Sequence, residues 1–263
     1  MSWITHTVTS SIGKKLLMSL TGIFLCTFLI VHLSGNLQVF KDDGGYAFNV
    51  YAVFMTTFPL IKIVSYGLYA LILFHAFWGL YLTYQNRKAR PTKYAFENKS
   101  STWASRNMAV LGTVLLVYLA VHMGDFWYEY KFGHLPYTKY TEELVTGKIT
   151  SERMPTDYTQ EVKKIETFNE TAQTRTVVVK DLYEEVEEGF TNPLLVIFYL
   201  ISMASVSFHL IHGFESAFQT LGINHKKYTP FIKFVGFWVF GIAIPVGFAT
   251  MPLYFYLKSI GIV

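Results

Sequence analysis

The sequence predicts an all-α membrane protein: a bundle of five transmembrane helices with a small extramembrane insertion. Three observations predict it. Of 263 residues, 52% are hydrophobic and only 15% charged, against about 25% charged in a soluble domain, and the mean hydropathy is +0.32. Five apolar runs each reach the roughly 20 residues that a span requires. The runs are continuous rather than alternating, which selects helices over barrel strands.

The five runs are Ile12–Ser34, Phe58–Tyr84, Arg106–Tyr128, Pro193–Phe218 and Pro230–Tyr256. The first begins behind Lys14 and Lys15 and superficially resembles a signal peptide. Its apolar stretch, Leu16 to Leu33, is too long for one, and no small-x-small cleavage site follows, so a retained first span is expected. Pro193 and Pro230 suit the first turn of a helix. Pro245 lies inside the fifth run and predicts a kink.

Lysine and arginine set the orientation. The loop after span two holds Arg87, Lys88, Arg90, Lys93, Lys99 and Arg106. The loop after span four holds Lys226 and Lys227, and the N-terminus holds Lys14 and Lys15. With five spans all three fall on one side, which is then cytoplasmic, and the C-terminus lies outside.

Residues 129–191 differ from the rest. They carry 13 of the 18 acidic residues against 8 basic ones, a balance of −5, on the expected outer side. The segment is too long for a simple connection. Thr174–Tyr183 predicts a strand, because three consecutive valines favour extended backbone. Glu184, Glu185, Glu187 and Glu188 are expected in water. The chain divides into helices one to three (1–128), an acidic insertion (129–191) and helices four and five (192–263).

Two function classes drop out. Lys and Arg sit beside apolar runs without a basic recognition helix, so no nucleic-acid partner is expected. Cys26 is the one cysteine, which excludes a disulfide or a cysteine-ligated cluster within this chain.

Five of the eight histidines lie within spans: His32, His75, His122, His209 and His212. An ionisable side chain inside a membrane helix marks function by default. At about 1.5 Å per residue from the cytoplasmic end, His32 lies roughly 30 Å deep and His122 roughly 24 Å. His75 and His209 each lie roughly 15 Å deep. The set therefore forms an outer pair, His32 with His122, and an inner pair, His75 with His209. Two imidazoles facing each other across a bundle suit axial ligation of haem iron, and two layers stack two b-type haems into an electron path. Zinc or di-iron sites need about four ligands at one depth. Proton relays more often include mid-membrane carboxylates. His212 is i+3 from His209 and shares its face; either can be the inner ligand, with His209 preferred and the other left to a haem propionate or to structure.

At these residues the chain resembles the five-helix, di-haem cytochrome b subunits of succinate dehydrogenases and fumarate reductases. The resembling stretches are KKLLMSLTGIFLCTFLIVHLSGNLQVF at 14–40, LILFHAFWGLYLTYQNRKAR at 71–90, LAVHMGDFW at 119–127 and SFHLIHGFESAFQTLGI at 207–223. The resemblance implies the same pairs, His32–His122 for the distal haem and His75–His209 for the proximal one. It also implies two partners: a flavoprotein with covalent FAD for the succinate chemistry, and an iron–sulfur protein that relays electrons. This chain would supply the anchor, both haems and the quinone site of a respiratory complex II in the bacterial cytoplasmic membrane, linked to the tricarboxylic acid cycle. Menaquinone is the quinone that the resemblance favours, and a higher oligomer of the complex is open. The 129–191 insertion departs from the family, which has a short connection there.

Further candidates surround the histidines. Asp125, i+3 from His122, and Asn36, i+4 from His32, are candidates for an outer quinone site. Asp42 and Asp43 are expected to be plain loop residues. Ser19, Thr21 and Gly22 are placed near the proximal haem, and Arg106 is a candidate for propionates or the iron–sulfur partner. Ser and Thr in apolar helices also bond their own backbone, and Arg106 also sets topology. Gly35, Gly79, Gly124 and Gly213 each lie within four residues of a span histidine and offer room for a macrocycle or for close helix packing. Two competing functions are carried: a di-haem anchor of another quinone-linked dehydrogenase, and a haem-free proton-coupled transporter.

Overall fold

The computed structural model describes His6, residues 9–89 and residues 102–263. Arg90, Lys93 and Lys99 of the basic loop lie outside the described residues. In chain order the elements are α1 (Ser11–Phe40), α2 (Tyr46–Thr57), α3 (Pro59–Ala89), α4 (Trp103–Phe132), β1 (Tyr137–Glu143), β2 (Ile149–Arg153), β3 (Lys164–Asn169), β4 (Thr174–Lys180), α5 (Leu182–Gly189), α6 (Pro193–Thr220) and α7 (Thr229–Ser259). Among the described residues five helices, α1, α3, α4, α6 and α7, are long and apolar enough to cross a membrane. They match the five predicted runs and extend each of them at its C-terminal end, because polar and charged residues continue a helix where it leaves hydrocarbon. Arg87 and Lys88, for instance, fill the last turn of α3, where the helix dipole favours cations.

Two spans contain widened, π-helical turns: Met123–Tyr128 in α4 and Val235–Ala243 in α7. The second relocates the irregularity expected at Pro245. The Ile244 N–H bonds back to the Val239 carbonyl, five residues earlier, so the turn is already widened when the proline arrives. A ring that would press on the carbonyl four residues back is accommodated there.

The all-α expectation is corrected by the insertion. Residues 137–180 form a four-stranded antiparallel sheet in the order β2-β1-β4-β3. The expected strand at Thr174–Tyr183 stops at Lys180. Asp181 then caps α5, its Oδ1 accepting the Glu184 N–H at 2.9 Å. The glutamates expected in a solvated run are thus helical, and acidic side chains in a first turn suit the N-terminal dipole.

Contacts divide the chain into two units. One takes residues up to His32, Ser65–Leu119 and Phe198–Ala249; the other takes Leu33–Val64, Ala120–Ile197 and Thr250–Val263. In the first, Lys14 Nζ donates to Gln85 Oε1 at 2.8 Å, and Trp78 Nε1 donates to the Lys14 carbonyl at 3.3 Å. The start of α1 and the end of α3 therefore share one end of the bundle. Gly241 in α7 lets α6 approach, because a Cβ there would collide with Ile211 Cγ1.

The second unit contains the insertion and α2, a helix the sequence did not signal. Tyr140, Val177 and Val179 of the sheet pack on Val53 of α2, with Tyr46 and Val50 alongside. The fully buried Asn49 joins the two. Its Nδ2 donates to Tyr140 Oη at 3.0 Å and to Asp181 Oδ1 at 2.7 Å, and its Oδ1 accepts the N–H groups of Leu182 at 2.9 Å and Tyr183 at 3.0 Å. Every donor and acceptor of that amide is used, as burial demands. Asp43 is more than a loop residue: its carboxylate accepts from Gly45 N–H at 3.1 Å and Ala47 N–H at 3.0 Å, closing the entry to α2. Lys258 at the end of α7 pairs with Glu187 of α5 at 2.8 Å. The connection before α3, the insertion and the C-terminus thus lie together, as an odd number of spans requires.

Candidate functional site

The first unit brings two of the predicted histidines face to face. His75, midway along α3, and His209, midway along α6, have ring centroids 6.4 Å apart with planes at 66°. Helical rise alone placed them at one depth, and the ring contact agrees. Between the two i+3 candidates, the ring that meets His75 is that of His209 rather than His212.

Thr21 of α1 holds the His75 ring. Its hydroxyl oxygen lies 2.9 Å from His75 Nδ1, and it is also 2.9 Å from the Leu17 carbonyl and 3.1 Å from that of Met18. A hydroxyl has one proton to give. In an apolar helix it goes to the carbonyl three or four residues back. The oxygen then accepts from His75, which puts that ring's proton on Nδ1 and leaves the Nε2 lone pair bare. This is the tautomer that binds a metal through Nε2. Among the described residues, the buried His209 Nδ1 has no hydrogen-bond partner.

Small residues flank both rings. A Cβ on Gly22 would lie 3.5 Å from His75 Cε1, and one on Gly112 would lie 3.7 Å from His209 Cε1. Gly22 was among the predicted neighbours; Gly112 was not. It belongs to α4, far from His209 in the chain, so no local pattern points to it. Ser19 spends its hydroxyl on the Lys15 carbonyl at 2.9 Å. Arg106 is exposed near the start of α4.

His32 is also in the first unit, between two aromatic rings. Phe28, one turn back, stacks on it at 5.1 Å and 19°, and Phe248 of α7 approaches at 5.5 Å. The i−4 spacing of Phe28 was readable; the Phe248 contact was not. His122 belongs to the second unit, where Phe126 meets it edge-on at 5.7 Å. The pairing of His32 with His122 rests on the count along their helices. The widened turn of α4 begins directly after His122 and holds Asp125, whose Oδ2 is buried with no hydrogen-bond partner among the described residues. Asn36 ends the regular part of α1.

The glycines near the histidines separate into two kinds. Gly35 admits the Tyr51 ring, with which a Cβ would collide at Cε1, and a Cβ on Gly79 would lie 3.7 Å from Met18. Gly124 and Gly213 face open space, with nothing described within 4 Å of the Cβ position. Among the described residues no three His, Cys, Asp or Glu side chains converge on one point. The arrangement offers one facing pair of imidazoles, His75 and His209. No family model matches this chain, and no curated protein or solved structure matches it.

Proposed function

We propose that this chain is the membrane-anchoring, di-haem cytochrome b subunit of a succinate:quinone oxidoreductase, working between an iron–sulfur subunit and membrane quinone. The observation that carries the reading is the facing pair His75–His209. Two metal–nitrogen bonds of about 2 Å each, with the two ring radii added, separate imidazole centroids by roughly 6 Å. The 6.4 Å found between these rings fits one iron between them. The Thr21 contact favours the tautomer that ligation needs, and the small residues Gly22 and Gly112 leave the ring edges uncrowded.

When bound, two haem b groups supply reversible one-electron carriage through the apolar interior. His75 and His209 would hold the inner group, and Thr21 orients the His75 ring through its contact with Nδ1. By the count along their helices, His32 and His122 would hold the outer group; Phe28 and Phe248 lie against the His32 ring and Phe126 against the His122 ring. Asp125 carries a buried oxygen suited to a hydrogen-bonding ligand, and with Asn36 it serves the outer quinone site. His212, Ser19 and Arg106 are assigned to the surroundings of the inner group. The flavoprotein with FAD, the iron–sulfur subunit, menaquinone, the bacterial inner membrane and a cytoplasmic N-terminus belong to the same proposal. They rest on the resemblance and on the lysine and arginine distribution.

The test is purification from native membranes with bound partners, followed by two assays. Succinate-driven quinone reduction should fall at least ten-fold in His75→Ala, while succinate oxidation with a soluble electron acceptor persists. Co-purification with no flavoprotein, or full quinone reduction in the variant, overturns the reading.

A further inference from the structure

The insertion is acid-rich, yet its cations are unevenly served. Lys139, Arg153, Lys164 and Arg175 each meet a carboxylate: Glu152 at 3.0 Å, Glu184 at 3.0 Å, Glu166 at 2.7 Å and Glu142 at 3.4 Å. Lys163 has no salt bridge among the described residues. Its Nζ lies 4.4 Å over the Tyr130 ring and donates to Thr56 Oγ1 at 3.1 Å. Lys180, the last residue of β4, reaches the same tyrosine. Its Nζ donates to the carbonyls of Tyr130 at 2.8 Å and Gly133 at 2.9 Å, and lies 5.6 Å from the ring.

Two more lysines join them from the spans. Burial and the positive charges of Lys180, Lys131 and Lys62 together push the Lys163 ammonium down to about 8. Glu129 is the carboxylate near Lys180. Two ammonium groups, those of Lys163 and Lys180, therefore gather around Tyr130; Lys131, whose Nζ lies 5.0 Å over the Trp127 ring, and Lys62 at the head of α3 add their positive charge to Lys163.

Their level in the membrane follows from the helices. Lys62 is in the first turn of α3 and Lys131 in the last turn of α4, where both helices leave hydrocarbon. Phe58, Tyr128 and Phe132 are exposed beside them, and exposed aromatics at helix ends mark the headgroup layer. Lys62 and Lys131 are themselves exposed, Lys163 is half-buried and Lys180 is buried, so the group meets the layer in which phosphates sit through its exposed members.

We propose that the lysines at 62, 131, 163 and 180 form a binding site for the phosphate of an anionic phospholipid on the membrane face that carries the insertion. Lysine ammonium groups act as point charges and suit a phosphate approached from several directions. The acyl chains of such a lipid continue along the exposed Phe58 and Phe132. A bound phosphate offsets the mutual repulsion of the four cations and neutralises the half-buried Lys163. It also holds the insertion down on the membrane surface. The site uses none of the haem-ligand candidates, so it stands or falls separately from the haem reading.

The test uses the full chain with any co-purifying partners, delipidated in mild detergent. Thermal unfolding is followed while phosphatidylglycerol, phosphatidylcholine or inorganic phosphate is added. Phosphatidylglycerol should raise the midpoint by several degrees. The same mole fraction of phosphatidylcholine, and millimolar phosphate, should not. Lys62→Gln and Lys163→Gln should each weaken the phosphatidylglycerol response about five-fold, while Lys139→Gln leaves it unchanged. Lys62 is exposed, so its variant carries the test alone if the Lys163 variant does not fold. Equal responses to both lipids, a matching response to free phosphate, or an unchanged response in Lys62→Gln overturns the proposal.

Discussion

Replacing Thr21 by valine keeps the volume and removes one oxygen. That oxygen is buried and lies 2.9 Å from His75 Nδ1. In the threonine protein the hydroxyl proton goes to the Leu17 carbonyl, and the Nδ1–H of His75 is accepted in return. In the valine protein that N–H has no acceptor, and the ring is free to rotate and to exchange tautomers. Loss of such an orienting partner typically weakens metal binding about 10–100-fold. That range corresponds to about 1.4–2.7 kcal/mol. Thr21→Val should therefore lose haem from the inner layer first. The assay is haem per chain from pyridine haemochrome spectra during competition with a haem-scavenging apoprotein, compared with Thr21→Ser. The serine variant restores the acceptor and should behave as the parent. Equal haem loss rates in all three proteins, with an unshifted redox midpoint, would refute the tautomer argument.

Three further outcomes are expected. Gly22→Ala should be tolerated, because its Cβ meets His75 Cε1 at an ordinary 3.5 Å, whereas Gly22→Leu should displace the ring and cost one haem per chain, read by optical spectroscopy. Asn49→Ala should strip Tyr140, Asp181 and two backbone N–H groups of a buried partner, costing about 3 kcal/mol or more; limited proteolysis within 133–192 should accelerate while the spans stay intact. For Lys163, the folded value of about 8 lies below the ordinary 10.5, so between those values the unfolded chain holds more protons and stability rises with pH. The destabilisation is fully present below pH 8 and gone above 10.5. Lys163→Met should flatten that rise and stabilise the lipid-free protein near pH 7 by on the order of 1 kcal/mol after allowing for solvent screening; a steeper pH dependence in the variant would count against the assignment.

The membrane spans were legible because hydrocarbon imposes one demand, about 20 apolar residues with every backbone group bonded internally, and the sequence meets it five times. The inner histidine pair was legible for the same reason: a straight helix turns sequence distance into depth. Contacts between helices were not. Gly112 beside His209 and Phe248 beside His32 have no local signature, since they depend on how faces rotate against each other. The widened turns of α4 and α7 were equally silent. Only Pro245 hinted at one, and the irregularity lies just before it.

The insertion was half legible. Val177, Val178 and Val179 announced β4. The alternation in β1 (Tyr137–Glu143) was obscured, because its inward residues include Thr138 and Tyr140, which satisfy buried polar roles. Helix α2 was missed because twelve residues are too few to span and none is charged, so it reads as a link between two apolar runs. Its place is set by Asn49, whose partners lie about 90 to 130 residues away. The glutamate run from Glu184 looked like solvated chain, and only the Asp181 cap and the burial of Val186 make it a helix.

The measurement that tests the central claim most directly is haem stoichiometry in the purified chain and its histidine variants, by reduced-minus-oxidised spectra and pyridine haemochrome. Two b-type haems per chain are predicted, falling to one or fewer in His75→Ala and in His209→Ala, with His212→Ala retaining both. Well-folded protein isolated with its partners but without haem, or full haem content in both His75→Ala and His209→Ala, would contradict it.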